Sequence, residues 1–422
     1  MVRGGYGIFY SPVYAQIPNV VQSLGIVNGF RQIAQVFVPI TGAPGNPSLT
    51  SAKIFQTLFA QGKVQCTTPA PGNAACITPA DLAQPSLNIA VTHTGPIPPL
   101  SVIFSGQPDY QNPYSQQGEF GIERAIGGGF SVSASYIYVH TLKLPVAIDT
   151  NNFQILKLPG AQQFATVTLS NGTTSVPIRQ WGASNPNCAG PNIVNCFVNP
   201  VILQTDQYSS QASALYQGGI LEVKKSFSHH FTFMGNYTFS NAIDTTTDFN
   251  SDYGPNDQTD LAAERGLSSF DQRHKVVLAG VIQSPWQGRI LSGFELAPIF
   301  RYNSAHPFNL LAGTNVNNDR HSTTDRPPGV GRNTGVGPNY VSFDTRLSWR
   351  VTVAEKSTLQ FTVEGFNLFN RTNFGTVNNV VGVIAPPTQP LQGDSTLSPS
   401  QPLGFTSALP RRQLQLGARL TF

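Results

Sequence analysis

Charge is what this sequence has least of. Only 11% of its 422 residues are Asp, Glu, Lys or Arg, against about 25% in an ordinary soluble domain. Ser, Thr, Asn and Gln stand in for the missing charge, so surface ions are not what keeps the chain in place. Long apolar runs are missing as well. None approaches the roughly 18 residues that a spanning helix needs, so a bilayer crossing here must be made by strands. Strand backbones are satisfied in hydrocarbon only when the sheet closes into a barrel. The net charge is +4, but the basic residues are scattered and form no dense patch, which argues against nucleic acid as a partner. The opening MVRGGYGIFY carries Arg3 but neither an apolar core segment nor a small-residue cleavage site, unlike a secretory leader. An exported barrel needs such a leader, so the chain is expected to begin partway through a longer protein.

Cysteine is scarce: Cys66/Cys76 and Cys188/Cys196 form two close pairs inside Pro/Gly/Asn-rich segments. That placement suits small loop-tip disulfides in an oxidising compartment, and the spacings match no common zinc-ligand pattern. Catalytic signatures are also lacking. Neither G-x-S-x-G nor an HGGG-type oxyanion segment occurs, and the close pairs Asp271/His274 and His321/Asp325 read as interface or loop polarity. One loop, 244–260, concentrates Asp244, Asp248, Asn250, Asp252, Asp257 and Asp260. Oxygen ligands at that density suit calcium, but the Gly comes at the seventh position and no Glu follows at the twelfth, unlike an EF-hand. A solvated acidic loop is the favoured reading. No catalytic, cofactor-binding or metal-ligating residue is assigned, no cofactor is expected, and the chain is not expected to be an enzyme.

Period-two alternation is abundant. From Val341 to Val351, Val341, Phe343, Leu347, Trp349 and Val351 alternate with Ser342, Asp344, Arg346, Ser348 and Arg350. One face suits lipid and the other water. Leu414, Leu416, Ala418, Leu420 and Phe422 repeat the pattern against Gln413, Gln415, Gly417, Arg419 and Thr421. Further strands are predicted at Arg3–Tyr10, Tyr114–Ala125, Phe130–Thr141, Tyr208–Lys225, Phe231–Asn241, Gln272–Gln283, Arg289–Tyr302 and Leu359–Phe369. Short connections at Ile126–Gly129, Ser226–His230, Ser284–Gly288 and Ala354–Ser357 alternate with long ones rich in Gly, Pro, Asn, Ser and Thr. This is the arrangement of outer-membrane barrels, with short periplasmic turns and long extracellular loops. The fold class is therefore all-β, a transmembrane antiparallel β-barrel portion of about ten strands. Twelve is the alternative if the long loop, about 11–113, hides a hairpin at Val36–Ile40 and Leu100–Phe104. A short helix at Ala52–Gln61 is a further option in that loop. Main hairpins then fill 114–369, and the last strand 411–422, of one barrel region spanning 1–422.

Arg124, Arg346, Arg350, Arg419, Glu123, Glu222 and Glu364 fall in predicted strands. Charges on a lipid face cost a few kcal/mol, so these are expected to face a lumen, as a substrate path or a hydrated wall. Tyr136, Tyr138, Tyr237, Phe239, Trp349 and Phe369 are placed near strand ends as interfacial girdles. A secreted β-sandwich is the soluble alternative, but its strands run about 5–6 residues, whereas these run to ten or more.

Several strings resemble one family. NPYSQQGEFGIERAIGGGFSVSASYIYVH from Asn112, LEVKKSFSHHFTFMGNYTFSNAID from Leu221, SSFDQRHKVVLAGVIQSP from Ser268, and VGRNTGVGPNYVSFDTRLSW followed by LQFTVEGFNLFNRTNFG are similar to the barrel hairpins of TonB-dependent receptors of the Oar-like subgroup. The terminal Phe422 resembles the C-terminal signal of bacterial outer-membrane proteins. The resemblance implies a barrel of about 22 strands around a plug, with uptake of a bulky nutrient powered by the inner-membrane TonB complex. The expected partners are outer-membrane lipid, the barrel-assembly machinery through the last strand, and TonB in the full-length protein only. A self-closing small barrel, acting as a passive pore or adhesin, is the rival.

Overall fold

The computed structural model describes residues 1–12, 17, 102–150, 164–168, 175–179, 204–248, 254–258, 260–288, 291–314, 316–317, 324–354, 357–383 and 391–422. Ten strands follow one another across a single sheet in chain order: β1 (Val2–Tyr10), β2 (Tyr114–Gly127), β3 (Phe130–Asp149), β4 (Gln204–Ser228), β5 (Phe231–Asp244), β6 (His274–Gln283), β7 (Phe294–Asn303), β8 (Tyr340–Ala354), β9 (Ser357–Phe366) and β10 (Gln413–Thr421). All nine neighbouring pairs are antiparallel. Among the described residues the sheet is open: β1 pairs with β2 alone, and β10 with β9 alone. These ten are the strands expected from alternation, with shifted ends.

The shifts have local causes. β3 runs past the expected Thr141 to Asp149 because the Lys143–Pro145 interruption is absorbed as a bulge. The register slips between Thr141, Leu144 and Val146, Lys143 takes φ 61°, and a bulge accommodates a proline that a regular ladder would not. Beyond it, Ala147 packs with Tyr208 and Ile17 in a small apolar knot that also gathers Phe104 and Tyr110. β7 begins at Phe294 instead of Arg289, because Leu291–Gly293 forms a 3-10 turn first. Gly293 is required there, since any β-carbon would collide with the Arg350 carbonyl. β9 stops at Phe366 because Asn367 and Asn370 adopt left-handed backbone, φ 47° and 52°, and the Asn367 amide N–H donates to Asp344 Oδ1 (2.8 Å). The β2–β3 turn uses Gly127, Gly128 and Gly129, all at positive φ, which only glycine adopts freely.

Of the hairpin in the twelve-strand alternative, the second half exists as a strand, Val102–Gly106, which lies parallel to the outer end of β4. Val36–Ile40, the Ala52–Gln61 helix and all four cysteines lie outside the described residues. Shorter ladders join Gly266–Leu267 to β5, Phe164–Thr168 to Ser175–Arg179 and Pro307–Phe308 to Gly335–Val336.

Register sorts the side chains into two faces. On one, Leu296, Leu347, Val363 and Leu416 align across four strands, and Phe294, Trp349 and Phe361 stack with centroids 6.0 and 5.8 Å apart. Leu296, Leu347, Phe361, Val363 and Leu416 are left exposed, Leu416 by 78%, as a contiguous apolar patch of the kind that marks a membrane or partner surface. On the other face Glu295, Ser348, Thr362 and Gly417 align, and beside them Arg346, Glu364 and Gln415. Arg124 corrects the expectation of a lumenal position. It is opposite Val132, on the apolar face with Phe120 and Ile122, because successive residues of a strand point to opposite sides and Glu123 holds the polar one. It sits three residues from the Gly127 turn, where a long side chain reaches the interface. Lys225, also on the apolar face, is 4% exposed. Its Nζ donates to Ser228 Oγ (2.7 Å) and Ser228 O (3.0 Å) and lies over the Phe231 ring, so the charge is fully sheltered.

Placing a cation at the centre of the apolar face tests this sorting. Leu347→Arg should destabilise the folded protein by about 2–4 kcal/mol in lipid, whereas Asn236→Arg on the polar face should change it far less, both measured by urea unfolding in vesicles. Equal effects would contradict the assignment of faces.

Candidate functional site

Beyond the outer strand ends, three long connections meet: β5 to β6, β7 to β8 and β9 to β10. Their contact is built from buried charge. Arg326 Nη1 and Nη2 donate to the two Glu264 carboxylate oxygens, each at 2.8 Å, with the two side chains 8% and 4% exposed. Glu264 also accepts from the Asn256 backbone N–H (2.9 Å). Asn256 Oδ1 in turn accepts from the Arg326 N–H (3.0 Å). Arg332 is ion-paired with Asp244 and donates to the Asp244, Glu264 and Thr247 oxygens at 2.7, 2.8 and 3.1 Å. Burial pushes its guanidinium down to about 10, so it remains charged at neutral pH and needs that carboxylate. Asn333, at φ 53°, donates its Nδ2 to the Leu267 carbonyl and its backbone N–H to Asn309 Oδ1. Asn379 Nδ2 donates to the Asn309 carbonyl, tying in the third loop. The cap encloses a cavity of about 130 Å³ lined by Thr247, Glu264, Arg326, Arg332, Asn309 and Asn379, room for a few waters.

The acidic loop is thus only partly as expected. Asp244 is buried against Arg332 instead of solvated, and Asp260 caps the short turn Leu261–Glu264 by accepting from the Ala263 N–H. Asn250 and Asp252 lie outside the described residues, and among the described residues no three ligating side chains gather into a metal site. Asp271 accepts from the Ala242 N–H (2.7 Å), while His274 Nδ1 meets the Tyr237 hydroxyl (2.9 Å). Each member of that pair therefore has its own structural partner. Asp325 receives the Val316 N–H; His321 is outside the described residues. Sequence reasoning missed Glu264, Arg326 and Arg332, whose pairings join positions 62 to 88 residues apart and leave no local pattern.

The polar face is the second candidate. Of its expected charges, Arg346 donates to Glu364 (2.6 Å) and Glu222 pairs with Lys224 (2.6 Å). Arg301–Asp344 and Arg3–Glu119 are looser, at 3.9 and 3.7 Å. Glu123 stands opposite Ser133. Arg350 and Arg419 flank Gln360 in direct register. Among the expected girdle aromatics, Tyr136 and Tyr138 project from the apolar face of β3. Tyr237 and Phe239 pack on His274, and Phe369 sits 5.2 Å from Phe343.

Matches to the family described as outer membrane beta barrel domain run over residues 1–330 and 329–415. The chain belongs to this outer-membrane β-barrel family. The barrel domain is accordingly a protein of the outer membrane, with its apolar face outward and its polar face toward the lumen. No curated protein matches it. Among solved structures it is similar to the outer membrane transporter YddB from Escherichia coli, with a TM-score of 0.42 and 10% identity over 77% of this chain and 34% of that one. The FrpB iron transporter from Neisseria meningitidis aligns with a TM-score of 0.38 and 12% identity over 76% and 33%. The pyoverdine receptor FpvA from Pseudomonas aeruginosa aligns with a TM-score of 0.37 and 13% identity over 74% and 30%. The barrel domain spans about a third of the length of these proteins.

Removing one partner of the buried cap pair strands the other charge. Glu264→Gln or Arg326→Met should loosen the outer loops by about 3–5 kcal/mol, read as faster protease cleavage of those loops on intact cells. Unchanged protection in both variants would show that the cap does not depend on this pair.

Proposed function

We propose that the ten strands are part of the wall of a TonB-dependent transporter that takes a bulky nutrient across the outer membrane. The observation that carries this reading is the open sheet. β1 and β10 each present an unpaired backbone edge, flanked by apolar side chains such as Ile8 and Leu416, both exposed. An edge of that kind is untenable in hydrocarbon until more strands pair with it. The Oar-like motifs from Asn112 onward support the same family of transporters, and the hydrated, ion-paired lumen face suits a wall packed against polar cargo or a plug. In this reading the last strand, ending at Phe422, is the segment taken up by the barrel-assembly machinery, and energy comes from the TonB complex.

One observation favours the rival. With an even number of strands, β1 runs outward and β10 inward, so the two edges have the polarity needed to pair and close a small passive pore. Cysteines distinguish the two. Gly5→Cys on β1 is combined with Gln415→Cys or Gly417→Cys on β10, in protein recovered from outer membranes as a folded, heat-modifiable band. The transporter reading expects no intramolecular cross-link with a short bifunctional thiol reagent. Efficient cross-linking within one monomer would establish the ten-strand pore instead.

A further inference from the structure

Near the periplasmic end of the lumen face, β8, β9 and β10 align three successive rows. The outermost of them is Ser348, Thr362 and Gly417; the next is Arg350, Gln360 and Arg419; the last is Thr352, Thr358 and Thr421. The middle row carries two positive charges and an amide, and the rows on either side carry hydroxyls. None of the nine positions is a carboxylate. Every other arginine on this face has an acidic partner: Arg3 has Glu119, Arg301 has Asp344 and Arg346 has Glu364. Among the described residues, Arg350 and Arg419 have none. The nearest strand carboxylates are both engaged: Glu295 on β7, which continues the Ser348 row beside Arg350, accepts from Gln283 Nε2 (3.1 Å), and Glu364 accepts from Arg346 (2.6 Å).

Strand spacing puts the Arg350 and Arg419 backbones about 10 Å apart, within reach of two arginine side chains converging on one group. The Thr362 hydroxyl fills the space over Gly417 and donates to its carbonyl (3.4 Å), so an approaching solute meets the exposed Arg350 and Arg419 guanidinium groups on either side of the Gln360 amide. Guanidinium forks match the paired oxygens of carboxylate and phosphate, and an unbalanced cationic row in a lumen concentrates anions. We propose that this platform is a binding site for a multivalent oxyanion, so that the cargo carries carboxylate or phosphate groups and passes this wall on its way inward. The inference rests on the barrel reading above, because only there does this face line a lumen. It does not depend on how many strands complete the ring.

The probes are citrate for the carboxylate source and inorganic pyrophosphate for the phosphate source. Each is titrated calorimetrically at low salt into the protein extracted in detergent from outer membranes in the form cells make, with heat-modifiable migration as the check on folding. Binding of one or both is expected, weakened about tenfold or more by R350Q or by R419Q, since a hydrogen bond to a charged group is worth about 1.5–3 kcal/mol. R346Q, which removes an arginine already held by Glu364, should leave it within about twofold. A preference between citrate and pyrophosphate assigns the source. Folded protein that binds neither, or binds equally in all three variants, overturns the proposal and leaves the transporter reading standing. Protein absent from the folded band in the membrane fraction overturns both.

Discussion

Everything in this molecule depends on one constraint: inside hydrocarbon, each backbone N–H and C=O must find its partner within the sheet. Nine antiparallel ladders meet that demand across β1 to β10, and the rest follows. Strands must be long enough to cross, so β3 and β4 reach 20 and 25 residues where strands of soluble sheets average five or six. Short turns are built where backbone must reverse at once, as in the all-glycine Gly127–Gly129 turn. The long irregular connections lie at the outer ends, where water or neighbouring loops can satisfy their backbone.

The same constraint explains why so much of the fold is legible in the sequence. A wall with oil on one side and water on the other favours period-two alternation, and β8 shows it with Thr345 as its one polar interruption: Phe343, Leu347 and Trp349 share one face and Ser342 and Ser348 are buried on the other. Alternation says nothing about what happens beyond the membrane. The continuation of β3 past Pro145 was hidden because a proline ends the pattern locally, while the ladder resumes through a bulge. Arg124 departs from the lumenal expectation because parity, not charge type, decides a strand face, and its parity is that of Ile122. The cap residues were illegible for a different reason. Glu264 meets Arg326 and Asp244 meets Arg332 across chain separations that no spacing rule addresses.

Charge is scarce here, and where it sits determines what it does. On the apolar face a cation survives only by being sheltered, as Lys225 is by turn carbonyls and the Phe231 ring. In the cap both pairs are buried, and Arg326–Glu264 is bidentate, so the loss of one member is far more damaging than the pair's net contribution to stability. On the lumen face the arginine side of each ion pair reaches water, 47–57% exposed, and such pairs each contribute at most about 1 kcal/mol.

That weakness has a functional reading. Pairs worth so little in water are not there to hold the sheet, which its backbone ladders already secure; what they do is cancel the field that the lumen presents to a solute. Arg3, Arg301 and Arg346 are neutralised in this way by Glu119, Asp344 and Glu364. The row of Arg350, Gln360 and Arg419 is not, and a local positive field survives there against a wall of hydroxyls. A carboxylate at Gln360 would complete a salt-bridge ladder across the three strands, and exposed pairs of that kind change stability by at most about 1 kcal/mol each, so stability does little to explain the uncancelled charge. The lumen's own traffic is the remaining cause, and anions are the traffic to which such a row responds.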